Sequence, residues 1–286
     1  MNSARPSDVV ALLRRLNFRP SRLLGQNFLV DANILAILLR SANVESTDTV
    51  LEVGPGLGIL TGPLLERANH VVAIEKDDRL HTYLKEAFFG NDKLELIHDD
   101  AMQFDLETLP NLKTGKLISN LPYSIASRFL VAVTESGNRP TRMVVTVQHE
   151  VGDRLAASPG TKDYGLLSVL VQLRYQVKLV RVISPSCFYP RPKIRSAIVR
   201  FDAEPDTKIA VRDAQSFKAL VRHAFSRRRK QLGSLLPSAP GTLRVDRTSS
   251  QKLIRAANLD PSARPESLAV IDWIRLSNAC VQRNST

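Results

Sequence analysis

Four consecutive residues, Asn120-Leu121-Pro122-Tyr123, combine a side-chain amide, main-chain carbonyls in a stiffened loop and an aromatic face. Upstream stands Glu52-Val53-Gly54-Pro55-Gly56-Leu57-Gly58. The tetrapeptide suits a reaction at the exocyclic amine of a base. Such an amine attacks poorly because its lone pair is delocalised into the ring, so its nitrogen must be drawn toward a tetrahedral shape. Asn120 can accept one amine hydrogen on its amide oxygen, and Leu121 or Pro122 can accept the other on a carbonyl. Pro122 removes a competing N–H and restricts the loop. Tyr123 can stack on a base taken out of its helix. A strong catalytic base is not required, since the amine sheds its proton readily once methylated. An ordinary Asn-initiated turn would account for the tetrapeptide alone. It does not account for the tetrapeptide's place at a strand end, downstream of a glycine pocket.

The glycines are spaced Gly-x-Gly-x-Gly. A dinucleotide fingerprint would put a glycine three residues after Gly56, where Ile59 stands. The pattern still lets the backbone pass close to a ligand between a strand and a helix. S-adenosylmethionine, which has no pyrophosphate, is the cofactor this implies, with Gly54 and Gly56 at its amino-acid part and ribose. Glu75 closes the next strand, where a carboxylate can accept from both ribose hydroxyls. Asp100, after the third strand, can accept from the adenine amine. Either residue alone reads equally well as a helix N-cap. All three features in register favour a cofactor site. Glycine pocket and tetrapeptide together imply methyl transfer to a base amine.

The elements that must position these residues are visible as short apolar runs. Strands are expected at 49–53, 70–75, 94–98, 116–119 and 143–148, alternating with helices that follow Asp31, the glycine turn, Asp77 and Ser124. That alternation predicts an α/β fold with a Rossmann-like, doubly wound sheet. Two further strands, 175–183 and 197–201, are joined by a proline-rich loop too short for a crossover helix, so an antiparallel pairing is expected. After Pro205-Asp206 the strand pattern stops, and helices are expected at 213–226, 249–257 and 266–280. The boundary is placed there, giving a catalytic domain over 1–206 and a small helical domain over 207–286.

Charge divides along the same line. Of 40 Lys+Arg and 28 Asp+Glu, residues 207–286 hold 15 and 5, so +10 of the net +12 lies there. A basic block of that density usually faces a polyanion, and nucleic acid is the usual one. Arg227-Arg228-Arg229-Lys230 is its densest run and is the expected RNA contact. No apolar run reaches membrane length. The two cysteines, Cys187 and Cys280, offer neither a disulfide framework nor metal-ligand spacing, which suits a reducing compartment. The basic first twenty residues fit either a targeting segment or an amphipathic helix near 8–16, and the helix is favoured.

Over residues 19–235 the chain resembles the small-subunit rRNA adenine N6-dimethyltransferase family. The resemblance runs through Leu24-Gly25-Gln26-Asn27-Phe28-Leu29, Glu52–Gly58, Glu75, Asp100-Ala101 and Asn120–Tyr123, in that order. It continues through Gln148-His149-Glu150-Val151, Tyr164–Val169, Phe188-Tyr189-Pro190-Arg191-Pro192-Lys193 with Ser196, and Phe225 with Arg227–Lys230. It implies dimethylation of two adjacent adenines near the 3′ end of small-subunit rRNA, late in subunit assembly, by a cytoplasmic enzyme acting as a monomer on the pre-30S particle. It further implies that Gln26, Asn27, Leu29, Gly54, Gly56, Glu75, Asp100 and Asn120 line the cofactor. Asn120 and Tyr123 would hold the target adenine, with Phe188 a second stacking face. From the residues alone, Phe188 could equally anchor its loop on the core. Ser119, His98-Asp99 and Arg195 depart from the family pattern.

Three other readings share these motifs: a large-subunit rRNA adenine methyltransferase, a noncatalytic ribosome-assembly or organellar transcription factor, and a DNA adenine methyltransferase. The Tyr164–Val169 and Phe188–Ser196 segments speak against the first. The intact cofactor set speaks against the second. The amide at position 120, where DNA enzymes usually carry an acid, speaks against the third.

Overall fold

The computed structural model describes residues 6–21, 24–204 and 210–282. The chain separates into two units, Met1–Asp153 with Gln176–Ala203, and Arg154–Tyr175 with Glu204–Thr286.

The first unit opens with α1 (Pro6–Arg15), which buries Val9, Leu12 and Leu13 on one face. The amphipathic pattern read at 8–16 is this helix. Arg79 then holds the following turn by donating to the Leu16 and Asn17 carbonyls. A two-residue strand β1 (Phe28–Leu29) leads into α2 (Ala32–Ala42). Asp31 caps α2 by accepting from the Asn33 and Ile34 amides. Next come β2 (Thr49–Val53), α3 (Thr61–Leu65), β3 (His70–Glu75), α4 (Asp78–Ala87) and β4 (Leu94–His98). Then follow β5 (Lys116–Asn120), α5 (Ala126–Glu135), β6 (Arg142–Gln148) and α6 (His149–Ala156). After α7 (Leu166–Gln172), which lies in the second unit, β7 (Tyr175–Ile183), β8 (Phe188–Tyr189) and β9 (Ser196–Ala203) complete the strands.

The main sheet has the order β4-β3-β2-β5-β6-β9-β7. Pairings from β4 through β6 are parallel, and β9 runs antiparallel to β6. Val50, Leu51, Val71, Val72, Leu117, Val144 and Val145 are at most 1% exposed, as expected of strands covered on both faces. The chain proceeds from β2 outward to β3 and β4, then returns to β5 on the other side of β2. That reversal opens a crevice at the carboxyl ends of β2 and β5, where ligands bind in sheets of this kind. Val53, Glu75 and Asn120 are the last residues of β2, β3 and β5. A separate two-stranded ladder pairs β1 with β8, with Phe28 opposite Tyr189 and Leu29 opposite Phe188.

The second unit is helical: α7, α8 (Ala214–Ser226), α9 (Leu232–Leu235), α10 (Arg247–Ala256) and α11 (Val270–Gln282). Asp213 and Asp246 cap α8 and α10. Its core centres on fully buried Trp273, whose ring lies 5.7 Å from Phe225, itself 6.1 Å from Tyr164. The Tyr164 hydroxyl donates to the Leu268 carbonyl at 2.8 Å. These contacts bring 154–175 into this unit, whereas a division of the sequence at 206 assigns them to the first. The strand pattern on either side hides their allegiance, because it rests on packing across about a hundred residues.

Candidate functional site

The glycine turn is held by main-chain bonds. Gly54 N donates to the Ile74 carbonyl at 2.9 Å, tying the end of β2 to β3. Gly56 N donates to Glu75 Oε2 at 3.0 Å, and Asp77 N to Glu75 Oε1 at 2.9 Å. Glu75 is 5% exposed. Burial raises its pKa, and the Asp77 and Gly56 amides work against that rise. Each carboxylate oxygen keeps lone-pair capacity for a ligand hydroxyl. Gly54 and Gly56 have φ of +66° and +61°. The close approach they permit is to the protein itself. A Cβ on Gly54 would lie 3.0 Å from Pro122 Cγ, and one on Gly56 2.9 Å from Phe28 Cε1. The same two glycines also border the cavity above the turn, where the sequence expects a ligand to approach.

A cavity of about 400 Å³ lies over this turn. Its wall includes Gln26, Asn27, Gly54, Gly56, Glu75, Asp100, Asn120, Leu121, Pro122 and Tyr123. That volume is within the range of small-molecule sites. The Gly56 amide that would cradle a phosphate is spent on Glu75, and that end is lined by the carboxylates of Glu75, Asp99 and Asp100. Such a wall fits a ligand with hydroxyls and amines to donate and no phosphate, as S-adenosylmethionine is.

Two residues assigned to cofactor contact are partly engaged elsewhere. Gln26 accepts from Ser21 N at 2.7 Å and donates to Asp77 Oδ2 at 3.2 Å, so its amide braces the entry segment. Asp100 pairs with Lys76 Nζ at 2.7 Å and accepts from Met102 N at 2.9 Å. The Lys76 bond, then the Met102 amide, lower its pKa. Leu29 is buried in the hydrophobic core; it does not border the 400 Å³ cavity but lines a smaller recess shared with Gly54 and Asn120.

The target loop is held by side chains. Asn120 closes β5 opposite Thr146 of β6 in the parallel register. Its Oδ1 accepts from the Thr146 hydroxyl, and its Nδ2 donates to the Asn27 carbonyl at 2.8 Å. The amide is therefore fixed in one sense, its nitrogen engaged through one N–H and its oxygen retaining one lone pair. The Pro122 carbonyl accepts from the Ile125 and Ala126 amides that begin α5. Of the two carbonyls left open by the sequence, Leu121 is the one without such a partner among the described residues. Ser119, buried, donates to the Val53 carbonyl at 2.6 Å and so locks the target strand to the glycine strand.

The Tyr123 hydroxyl shares a 2.5 Å hydrogen bond with Ser196 Oγ, and burial pushes its pKa up to about 12. Phe188 is 1% exposed among Leu29, Ile34 and Ile198. It is the core anchor of its loop rather than a stacking face, because its pairing opposite Leu29 turns the ring into the core. Thr146 went unnoticed in the sequence. Nothing near it in the chain marks it, and only the β5–β6 register brings it to Asn120.

In the second unit the basic run divides. Arg228 donates to the Lys162 and Thr161 carbonyls at 2.7 and 3.0 Å and lies 3.5 Å from Glu266. Arg227 reaches His223 Nδ1 at 3.2 Å. Both make ties within the protein, while Arg227 stays exposed and Arg228 half-buried. Arg229 and Lys230 are exposed and have no partner among the described residues. Among the described residues, no group of three or more His, Cys, Asp or Glu is placed to hold a metal. Nor is any helix there long and apolar enough to cross a membrane.

Comparison with known proteins bears on the same residues. The chain is 37% identical over 280 residues to the ribosomal RNA small subunit methyltransferase A of Clostridium perfringens, covering 98% of this chain and 97% of that one. It is 40% identical over 270 residues to the protein of that name from Geobacter metallireducens, covering 93% and 98%. A dimethyladenosine transferase from Plasmodium falciparum shares the fold with a TM-score of 0.75 at 24% identity, over 87% of this chain and 95% of that one. The 23S rRNA methyltransferase ErmE shares it at 0.66 and 23%, over 90% and 100%. The fold is thus that of the class I methyltransferases. A family model described as ribosomal RNA adenine dimethylase matches residues 17–276, a span that takes in the glycine turn, Asn120 and the basic run alike. The chain belongs to the ribosomal RNA adenine dimethylase family.

Proposed function

We propose that this protein carries methyl groups from S-adenosylmethionine to N6 of two adjacent adenines near the 3′ end of small-subunit rRNA. The observation that carries the chemistry is the fixed amide of Asn120, set in the same cavity wall as Glu75. When bound, S-adenosylmethionine supplies an electrophilic methyl. Glu75 accepts from its ribose hydroxyls, and Asp100 from its adenine amine with the capacity Lys76 leaves. For the first methyl, Asn120 Oδ1 and the Leu121 carbonyl accept the two hydrogens of the target amine and draw its lone pair out of conjugation; for the second, one of them accepts the single hydrogen that remains. Tyr123 lies against the target base, its ring held by Ser196. The product amine loses its proton to solvent, so no side chain need act as base.

The relatives named for the small subunit favour that rRNA over the large-subunit alternative. Arg229 and Lys230 contact phosphates, and the second unit's positive charge holds the RNA. The enzyme acts as a monomer in the cytoplasm, on a late pre-30S particle. The test is incubation with S-adenosylmethionine and each unmethylated rRNA in turn, read by mass spectrometry. N6,N6-dimethyladenosine at paired adjacent sites in the small-subunit RNA is expected. Methylation of the large-subunit RNA alone, or of neither, would overturn the proposal.

A further inference from the structure

The first unit carries a short basic loop that the cofactor and target residues do not use. Residues 189–195 read Tyr-Pro-Arg-Pro-Lys-Ile-Arg, with three cations and no acid. Arg191, Lys193 and Arg195 are all exposed and have no side-chain partner among the described residues. Tyr189 and Ile194 are among the few large apolar side chains that stay exposed, at 37% and 44%.

Both ends of the loop are fixed to the walls of the target site. At one end Tyr189 pairs with Phe28, the residue after Asn27, whose carbonyl holds Asn120. Phe188, fully buried beside it, anchors that end in the core. At the other end Ser196 is fully buried and bonded to the Tyr123 hydroxyl. The Arg195 carbonyl accepts from His149 N at 2.9 Å, which fixes the backbone beside Ser196. The loop therefore offers charge and an aromatic face at a set position beside the target residues.

We infer that the 189–195 loop binds the single strand flanking the target adenine, with Arg191, Lys193 and Arg195 on its phosphates and Tyr189 stacked on a neighbouring base. Exposed cations interleaved with an aromatic ring are what a single strand requires: charge for the backbone and a π-face for the bases. A protein surface would need acidic side chains to match all three cations. The inference rests on the proposed function, since it takes RNA as the substrate.

The test is the affinity of a 3′-terminal small-subunit rRNA fragment, measured between 50 and 300 mM KCl by anisotropy. Each single-strand phosphate contact contributes about 0.7 to the log–log salt slope, so Arg191→Ala/Lys193→Ala/Arg195→Ala should flatten it by roughly two. Arg191→Lys/Arg195→Lys should keep the slope. Tyr189→Ala should weaken binding by about tenfold, within the range of one lost base stack, and Tyr189→Phe should not. Arg195→Glu alone should weaken binding more than Arg195→Ala. S-adenosylmethionine affinity should stay at the parental value in every variant.

An unchanged slope in the triple variant overturns the inference, as does parental affinity in Arg195→Glu. Loss confined to intact subunit particles, with free RNA bound normally, would assign the loop to a protein surface and overturn it equally. Failure of the parent to methylate any rRNA would instead count against the proposed function.

Discussion

The two ends of the cavity are held by different kinds of bond. At the glycine end the ties are main-chain amides, from Gly54 to the Ile74 carbonyl and from Gly56 and Asp77 to the Glu75 carboxylate. At the target end they are side-chain hydroxyls and amides: Thr146 to Asn120, Asn120 to Asn27, Ser196 with Tyr123, and Ser119 to Val53. Main-chain ties yield only when the backbone itself is disturbed, so damage at that end takes binding and stability together. Side-chain ties can be removed singly, so the target end should lose rate while the cofactor still binds.

The largest effect is expected from Gly56→Val. The substitution puts a branched side chain at φ +61° with its Cβ 2.9 Å from Phe28. Backbone strain of this kind costs about 1–3 kcal/mol and overpacking a similar amount. Cofactor binding by calorimetry should vanish, and the unfolding midpoint should fall. A variant with parental affinity and midpoint would break the contrast from this side.

Glu52 tests the same end by pH. It is buried beside the turn, accepts from Thr61 Oγ1 at 2.7 Å, and burial pushes its pKa from 4.5 up to about 8 against that bond. The folded protein thus holds a proton that the unfolded chain releases between those values. Stability should therefore fall as pH rises through the window, by at most about 1.4 kcal/mol per unit. Glu52→Gln keeps an acceptor for Thr61 without the charge. It should exceed the parent's denaturation midpoint at pH 8.5 and approach it toward pH 4.5. A constant difference at both ends of the window would contradict this.

At the target end, Thr146→Val removes one hydroxyl at constant shape. Losing a hydrogen bond worth about 0.5–1.5 kcal/mol should lower kcat by up to tenfold. S-adenosylmethionine affinity should stay unchanged, and Thr146→Ser should restore the rate. An equal loss of cofactor affinity would mean that the hydroxyl supports the whole cavity. The smallest effect is expected from Tyr123→Phe, which keeps the ring and loses its bond to Ser196. A loss of a few-fold in single-turnover rate fits, with Tyr123→Ala slower still. Equal losses in both would make the hydroxyl, not the ring, decisive.

The glycine end was legible in the sequence because its parts are local. A buried apolar strand, the glycines and a carboxylate closing the next strand are contiguous signals. Asn120 and Tyr123 were legible as chemistry, but the residues that orient them were not. Thr146 reaches Asn120 only through the β5–β6 register, and Ser196 reaches Tyr123 only through the β6–β9 ladder. Phe188 sits between prolines, where the sequence leaves a stacking face and a core anchor equally open, and its pairing with Leu29 puts it in the core. Arg228 looks like its basic neighbours until Thr161 and Lys162 are brought beneath it. The same long-range packing around Tyr164 and Trp273 draws 154–175 into the helical unit. What the sequence withheld is in each case a contact between distant segments.

Parallel reactions of the parent and Asn120→Ala with unmethylated small-subunit rRNA, read by mass spectrometry alongside calorimetry of cofactor binding, address both ends of the cavity together. The parent should yield N6,N6-dimethyladenosine at two adjacent sites. Asn120→Ala should bind S-adenosylmethionine within a few-fold of the parent yet transfer methyl about 10²–10³ times more slowly, the usual cost of losing one oriented hydrogen bond to a reacting group. A variant that binds cofactor normally and dimethylates at the parental rate would contradict the role given to Asn120.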